Sequence, residues 1–447
     1  MKDHAGALRG ARLARNILNR VDNKSQESVF LFCAAYFTEA WVDPHEKTIA
    51  AYRQGHLLGF QMGDVENAFL NSFAAVHHAQ GCGSPLGSIG AITRELLLHM
   101  DMYNVKSISV MMEQVYLILQ YMTGSIKSAE PPWKELAVEP SGNRRTSSEN
   151  LRLLHWYIAR LELGVYFGNY EFADEMANEL KKILPRHPAY MTRTFRLFYA
   201  SLAAAGLARK MSKAGNRTEA RKYRKKAKKL AVTLGNYNRS HGANSYHREL
   251  LLRAELKMLD KHQATVSYDF AINKCLEVHH IHDAALGSEL AGEYYLFHSS
   301  DHKEGSIAHS TNKKLIRRHF TRARDLYNAW GAYAKVEQLQ RKHGDYIDGR
   351  NAQSGNGGIV SINIAKDFSS KSSSDMDDSL HSSENGFVSK GSNAPVIHNP
   401  RILELLAGIV PSSETADMSP IGDKPVGSES FVGDNASIVS DIDSVFM

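Results

Sequence analysis

Apolar residues recur at spacings of three and four through most of the first 343 positions. Met111, Val115, Ile118 and Met122 form one stripe. Leu151, Leu154, Ile158, Leu161 and Val165 form a second, and Leu286, Leu290, Tyr294 and Phe297 a third. At 3.6 residues per turn this spacing lines one helix face, which must be buried against a neighbour. No stretch alternates apolar and polar positions as a half-buried strand does. The pattern therefore predicts an all-α chain from about residue 6 to 345. Leu8, Ala11, Leu13, Ile17 and Leu18 are expected on the buried side of its first helix.

The breaks in the pattern agree. Asp43-Pro44-His45-Glu46 has the composition of a helix start, with Asp as cap and Pro in the first turn. Thr146 and Glu149 have capping-box spacing, and Gly63 and Gly168 stand where helices should stop. Helices of about 14–20 residues with short connections favour antiparallel hairpins stacked on one another. The clearest hairpin is 160–188. Leu163-Gly164 and Phe167 have the L-G-x-x-Y spacing of a tetratricopeptide unit, Gly168-Asn169-Tyr170 makes the turn, and Pro188 closes it. Gly164 is expected to let the second helix approach closely. A weaker unit begins near Leu252, and another near Leu290 with Ala291 and Tyr294. The expected fold is a tetratricopeptide-like α-solenoid, a right-handed stack of hairpins. Its expected organisation is N-terminal hairpins over 1–123, a linker or loop over 124–148, and C-terminal hairpins over 149–345. A disordered Ser-rich acidic tail follows over 346–447, and residues 298–313 are expected as a polar insertion.

Composition adds the contrast between body and tail. The 447 residues are 43% hydrophobic and 23% charged, as in an ordinary globular protein. The net charge is +6, but residues 351–447 hold 5 Lys/Arg against 13 Asp/Glu, a net of −8 that leaves +14 on residues 1–350. With 20 serines in those 97 residues, the tail has too little apolar surface to offset ordering entropy. Only Pro400–Ile409 has the pattern of a short apolar helix, with or without a docking partner. The longest apolar run, Val29–Phe37, is nine residues, against roughly 20 for a spanning helix. The Arg-rich start has no cleavage site behind an apolar stretch, so a secretory signal is not expected. Three widely spaced cysteines, Cys33, Cys82 and Cys275, suggest a reducing compartment. A cytoplasmic location is expected, with a nuclear one as the alternative because Arg221–Lys229 has the pattern of an import patch.

A family resemblance emerges in the last third. It is carried by Tyr246–Glu255, Tyr268–Ile272, His280–Leu286, Glu289–Leu296, Arg322–Tyr327, Trp330-Gly331-Ala332 and Ala334-Lys335-Val336. Ala35–Phe37, Gly63-Asp64 and Glu66–Ala68 agree with it. Together these strings resemble the tetratricopeptide-like helical region that follows the AAA-type (STAND-like) predicted ATPase in multidomain signalling serine/threonine and histidine kinases. The likeness spans roughly residues 6–345. Neither a phosphate loop of the form Gly-x-x-x-x-Gly-Lys-Ser/Thr nor a kinase motif set is present. The resemblance thus implies a stand-alone helical module in signalling, with a kinase or ATPase as partner in trans. It carries over no catalytic residue and no cofactor.

Candidate chemistry is sparse. His279, His280, His282 and Asp283 are metal-ligand types, as are His77, His78 and Cys82, but Glu277–Asp283 has the pattern of a turn between hairpins. Structural or solvated roles are expected, and no metal. Gly81–Ser88 is glycine-rich, but a helix pattern precedes it and no Lys follows as in a phosphate loop. A flexible inter-hairpin loop is expected there. Trp156, Tyr157, Tyr166 and Phe167 are expected in the core. Arg209–Lys229 holds eleven Lys/Arg and one acid, Glu219. Phased as a helix, Ala220, Tyr223, Ala227, Leu230 and Leu234 make the apolar stripe. Arg217, Arg221, Lys222, Lys225, Lys226, Lys228 and Lys229 lie away from it. That face is either solvated or a site for an anionic partner, the acidic tail included. The expected function is a non-catalytic protein-interaction scaffold. The alternatives are nucleic-acid or anionic-surface binding through 209–229, and an enzyme with unrecognised motifs.

Overall fold

Helices alone make up the regular structure of the described residues, which are 4–21, 24–127, 130–139, 147–183, 190–241, 244–259, 265–299 and 307–347 of a computed structural model. The fold is all-α. The first group comprises α1 (His4–Arg20), α2 (Glu27–Cys33), α3 (His45–Gln61), α4 (Val65–Gly81), α5 (Leu86–Met102) and α6 (Lys106–Thr123). A one-turn α7 (Trp133–Leu136) leads to α8 (Ser147–Tyr166), α9 (Tyr170–Ile183), α10 (Tyr190–Lys213) and α11 (Arg217–His241). The last group is α12 (Tyr246–Leu259), α13 (Thr265–Glu277), α14 (Ile281–Ser299), α15 (Ile307–Trp330) and α16 (Tyr333–His343). No helix among the described residues is long and apolar enough to cross a membrane.

Consecutive helices pair most closely: α3 with α4, α5 with α6, α8 with α9, α10 with α11, α12 with α13 and α14 with α15. In the α8–α9 hairpin Gly168 takes a left-handed φ of +76°, where glycine has no Cβ to clash. Leu163 is fully buried there and Phe167 half-buried. A Cβ on Gly164 would lie 2.9 Å from the Ala173 Cβ and 3.1 Å from its backbone nitrogen, so the bare glycine sets how closely α9 approaches. Ala291 is fully buried and Tyr294 half-buried on α14.

Hairpin pairing is only half of the packing. Residues 71–84, 153–166, 197–208 and 282–292 are buried at every position. Helices α4, α8, α10 and α14 are thus inner rods wrapped by their neighbours. A single apolar cluster extends from Phe32 to Leu339 and includes Leu136 of the stretch 124–148. Chain segments far apart are tied directly: Trp330 Nε1 donates to the Ser84 carbonyl at 3.1 Å, and Gln338 Nε2 to that of Phe167 at 2.9 Å. Asn244 donates to the carbonyls of Ala40 and Asp43 at 3.1 and 2.6 Å.

Three local expectations are corrected. The α3 helix starts one residue later than its cap pattern suggested. Pro44 is the N-cap residue, while Asp43 pairs with Lys47 at 3.0 Å. The apolar side of α1 is only partly covered: Leu8, Ala11 and Leu18 are half-buried but Leu13 and Ile17 are more than half exposed, because the helix packs chiefly against the π-helical turn Ala34–Thr38. The glycine-rich segment is not a free loop. Gly81 to Ser84 are buried, and Leu86 already begins α5. Thr146 of the expected capping box, Pro188, the tail and its Pro400–Ile409 motif lie outside the residues described, while Glu149 falls in the first turn of α8. Of the expected insertion over 298–313, residues 298–299 belong to α14 and 307–313 to α15, while 300–306 lie outside the residues described.

The close helix approach is open to test. Gly164→Ala should cost about 1–3 kcal/mol by forcing α8 from α9. Gly90→Ala, in a helix with nothing within 4 Å of the new methyl, should be neutral or stabilise by about 0.5–1 kcal/mol. Urea denaturation of the two variants measures the difference.

Candidate functional site

The inner rods carry more than apolar side chains. Where α3, α4, α8, α10, α12 and α14 meet, a connected set of polar groups is enclosed, with Asp283 at its centre. The expected turn over Glu277–Asp283 is shorter, residues 278–280, because Glu277 ends α13 and Ile281–Asp283 already belong to α14. His279 takes a φ of +59° and faces outward. His280, His282 and Asp283 face inward, Asp283 with no exposed surface. The four sequence candidates are thus split by the turn.

The Oδ2 atom of Asp283 accepts hydrogen bonds from Arg248 Nε at 2.8 Å and His247 Nε2 at 2.9 Å. His280 Nδ1 lies 3.4 Å from the same oxygen. Arg248 is 1% exposed; it donates through Nη2 to the Gly81 carbonyl at 2.9 Å, and the same nitrogen lies 3.1 Å from His282 Nε2. Its guanidinium also stands over the Phe195 ring, 4.5 Å from the centroid. Burial acts to raise the Asp283 pKa, but Arg248, His282 and the imidazoles of His247 and His280 outweigh it and hold it well below the carboxylate range. Gly83 has a φ of +75°, and a Cβ there would sit 2.3 Å from His282 Nδ1. That glycine is required twice, by its backbone and by the imidazole against it.

A second layer surrounds this pair. His78 is completely enclosed, with its ring nitrogens 3.3 Å from Thr48 Oγ1 and from the Tyr52 hydroxyl. His45, the first residue of α3, sits 5.5 Å from His78 and 6.1 Å from His280, ring to ring. Glu162 of α8 accepts from Gln80 Nε2 at 3.3 Å and from the Tyr199 hydroxyl at 3.4 Å, and burial raises its carboxyl to about 7. Burial also keeps the imidazoles neutral. His77 and His282 fall to about 4, and His45, His78 and His280 lie well below their ordinary value.

Sequence reasoning singled out His77, His78, Cys82, His280, His282 and Asp283, and missed His45, His247, Arg248 and Glu162. The last four come from other helices, and His45, in the polar run Asp43–Thr48, carries no local mark of its partners.

Two other features bear on function. A small cleft is lined by residues of α8, α14 and α16, among them Glu289, Glu293, Lys335 and Lys342. Its charges are spent on each other: Lys335 binds Glu289 at 2.7 Å and Lys342 binds Glu293 at 2.6 Å. The outer face of α11 differs. Arg217, Arg221, Lys222, Lys225, Lys228 and Lys229 are all exposed. Lys222 pairs with Glu219 at 3.2 Å, and half-buried Lys226 is committed to Asp174 at 2.6 Å and Asn178 at 2.7 Å. Comparison with protein-family models, with curated proteins and with solved structures finds no match.

Two outcomes follow from the enclosed groups. A histidine whose folded pKa is depressed binds fewer protons folded than unfolded, so stability is full above about 6.5 and is lost as pH falls towards 4. One such group contributes up to about 3 kcal/mol. Thermal melting should therefore shift down steeply between pH 6.5 and 4 and stay level from 7 to 8. Asp283→Ala takes the bonded carboxylate away from the buried Arg248 guanidinium and should cost about 3–5 kcal/mol in denaturant titration.

Proposed function

We propose that the chain is a non-catalytic protein-interaction scaffold that binds an acidic surface on a signalling kinase or ATPase acting in trans, and that α11 supplies the contact. The observation that carries this reading is the cationic outer face of α11, with six exposed Lys/Arg and Glu219 as the single acid between Arg209 and Lys229. Clustered like charges repel each other in the isolated protein and are relieved by a complementary surface, which also speeds encounter.

The distribution of chemistry supports a non-catalytic role. The histidines and carboxylates clustered around Asp283 are enclosed, and a catalytic side chain must reach its substrate. The charges lining the cleft on α8, α14 and α16 are already paired. The residues that carry the family resemblance have packing roles: Glu289 accepts from Tyr327 at 2.8 Å and from Lys335, and Trp330 is buried against Ser84. The signalling context and the kinase or ATPase partner rest on the resemblance.

Nucleic acid is the competing ligand for the same face, and one experiment separates them. The full chain and an Arg221→Glu/Lys225→Glu/Lys228→Glu variant are used as baits in parallel, at low and high salt. The expected outcome is a kinase or ATPase retained by the wild type and reduced at least about 10-fold with the variant. Recovery of nucleic-acid-associated proteins alone, with direct oligonucleotide binding that falls steeply with salt, overturns the scaffold reading. Equal recovery with both baits removes α11 from it.

A further inference from the structure

Three metal-ligating side chains from three separate parts of the chain converge inside the protein. His45 opens α3, Cys82 follows the last residue of α4, and His280 immediately precedes α14. One donor atom from each lies within 4.8 Å of the other two, and the residues are only 3–5% exposed. We propose that His45, Cys82 and His280 form a structural binding site for one divalent transition-metal ion, with zinc as the preferred ion and Asp283 as the positioning residue for His280.

The donor set fits that chemistry. Two imidazoles and one thiolate suit a borderline-soft ion that accepts tetrahedral geometry, and the fourth position is left to water or hydroxide. Oxygen-seeking calcium and magnesium are disfavoured by the same set. Metal-bound histidines usually present their second nitrogen to a carboxylate or carbonyl, and His280 Nδ1 lies 3.4 Å from Asp283 Oδ2. Asp283 is held in turn by Arg248 and His247, and its Oδ1 is buried without a hydrogen-bond partner.

A second triad, His247, His280 and Asp283, shares His280. It is the poorer site, because Asp283 already neutralises the Arg248 guanidinium at 2.8 Å, and a cation there would face that fixed positive charge. Charge balance also favours the first triad. The Cys82 thiol ionises as its sulfur–metal bond forms, and its proton passes to the buffer. A doubly charged ion with one thiolate adds a single positive charge to the site. The ion would staple the starts of α3 and α14 to the end of α4.

The test uses the full chain with Cys33→Ser and Cys275→Ala, so that Cys82 is its single thiol. The protein is stripped with a chelator and titrated with cobalt(II), then zinc. The expected result is about one equivalent bound, with a sulfur-to-cobalt charge-transfer band and visible bands of tetrahedral intensity. Zinc should abolish the bands, release about one proton per ion on calorimetry in two buffers, and raise the melting temperature. Cys82→Ser and His45→Ala should each weaken binding 10-fold or more. Asp283→Asn should weaken it less and keep the band, whereas exposed His279→Ala should change nothing. Substoichiometric binding without the charge-transfer band overturns the proposal, whether or not the ligand variants fold. A band-free site lost in His247→Asn also overturns it, by moving the ion to the second triad.

Discussion

A fully enclosed ion pair, Arg248 with Asp283, is the constraint around which the other helices are arranged. Removing two charges from water costs several kcal/mol per ion, and their attraction repays this only where further hydrogen bonds satisfy what remains. The fold meets that demand with groups from four other places. The Gly81 carbonyl takes a guanidinium proton, the Phe195 ring faces the cation, and His247 and His280 flank the carboxylate. Gly81 ends α4, His247 stands at the start of α12, His280 precedes α14 and Phe195 lies within α10, so the pair ties these four helices together. Apolar packing alone tolerates sliding; a buried charge with directional partners does not.

This arrangement accounts for two departures from simple hairpin stacking. In a one-dimensional array each unit touches only its neighbours. Here Trp330 reaches Ser84, Arg248 reaches Gly81, and Asn244 reaches Ala40 and Asp43. The Gly81–Ser84 turn is enclosed because both Arg248 and Trp330 take their hydrogen-bond acceptors from it. Flexibility there would cost the buried guanidinium and the buried indole these acceptors.

Inside and outside divide the chemistry. The interior holds neutral imidazoles, a thiol, a carboxylate–guanidinium pair and a carboxyl raised towards neutrality, all directed at one another. The exterior of α11 holds lysines and arginines with little local compensation. A scaffold reading uses the outside, and a metal staple uses the inside. The two are physically independent, because the ligating triad lies on α3, α4 and the start of α14 while the cationic stripe lies on α11.

The sequence by itself determined that the chain is helical, where most helices turn, and which face of α11 is charged. These follow from nearest-neighbour physics: the 3.6-residue period, glycine at a left-handed turn such as Gly168, and charge spacing along one helix. The stripes at Met111–Met122 and Leu151–Val165 are indeed buried, but the period predicts a buried face and says little where every face is buried. Helix α8, enclosed from Leu153 to Tyr166, thus kept Arg160 and Glu162 out of sight as interior groups. The apolar side of α1 misled for the opposite reason, since an apolar stripe does not guarantee a neighbour to cover it. Only the tertiary structure decided that His45, Cys82, His247, Arg248, His280 and Asp283 share one enclosure. Their distances along the chain carry no trace of it, because the approach of α3, α4, α12 and α14 is set by long-range packing and the charge pair buried between them.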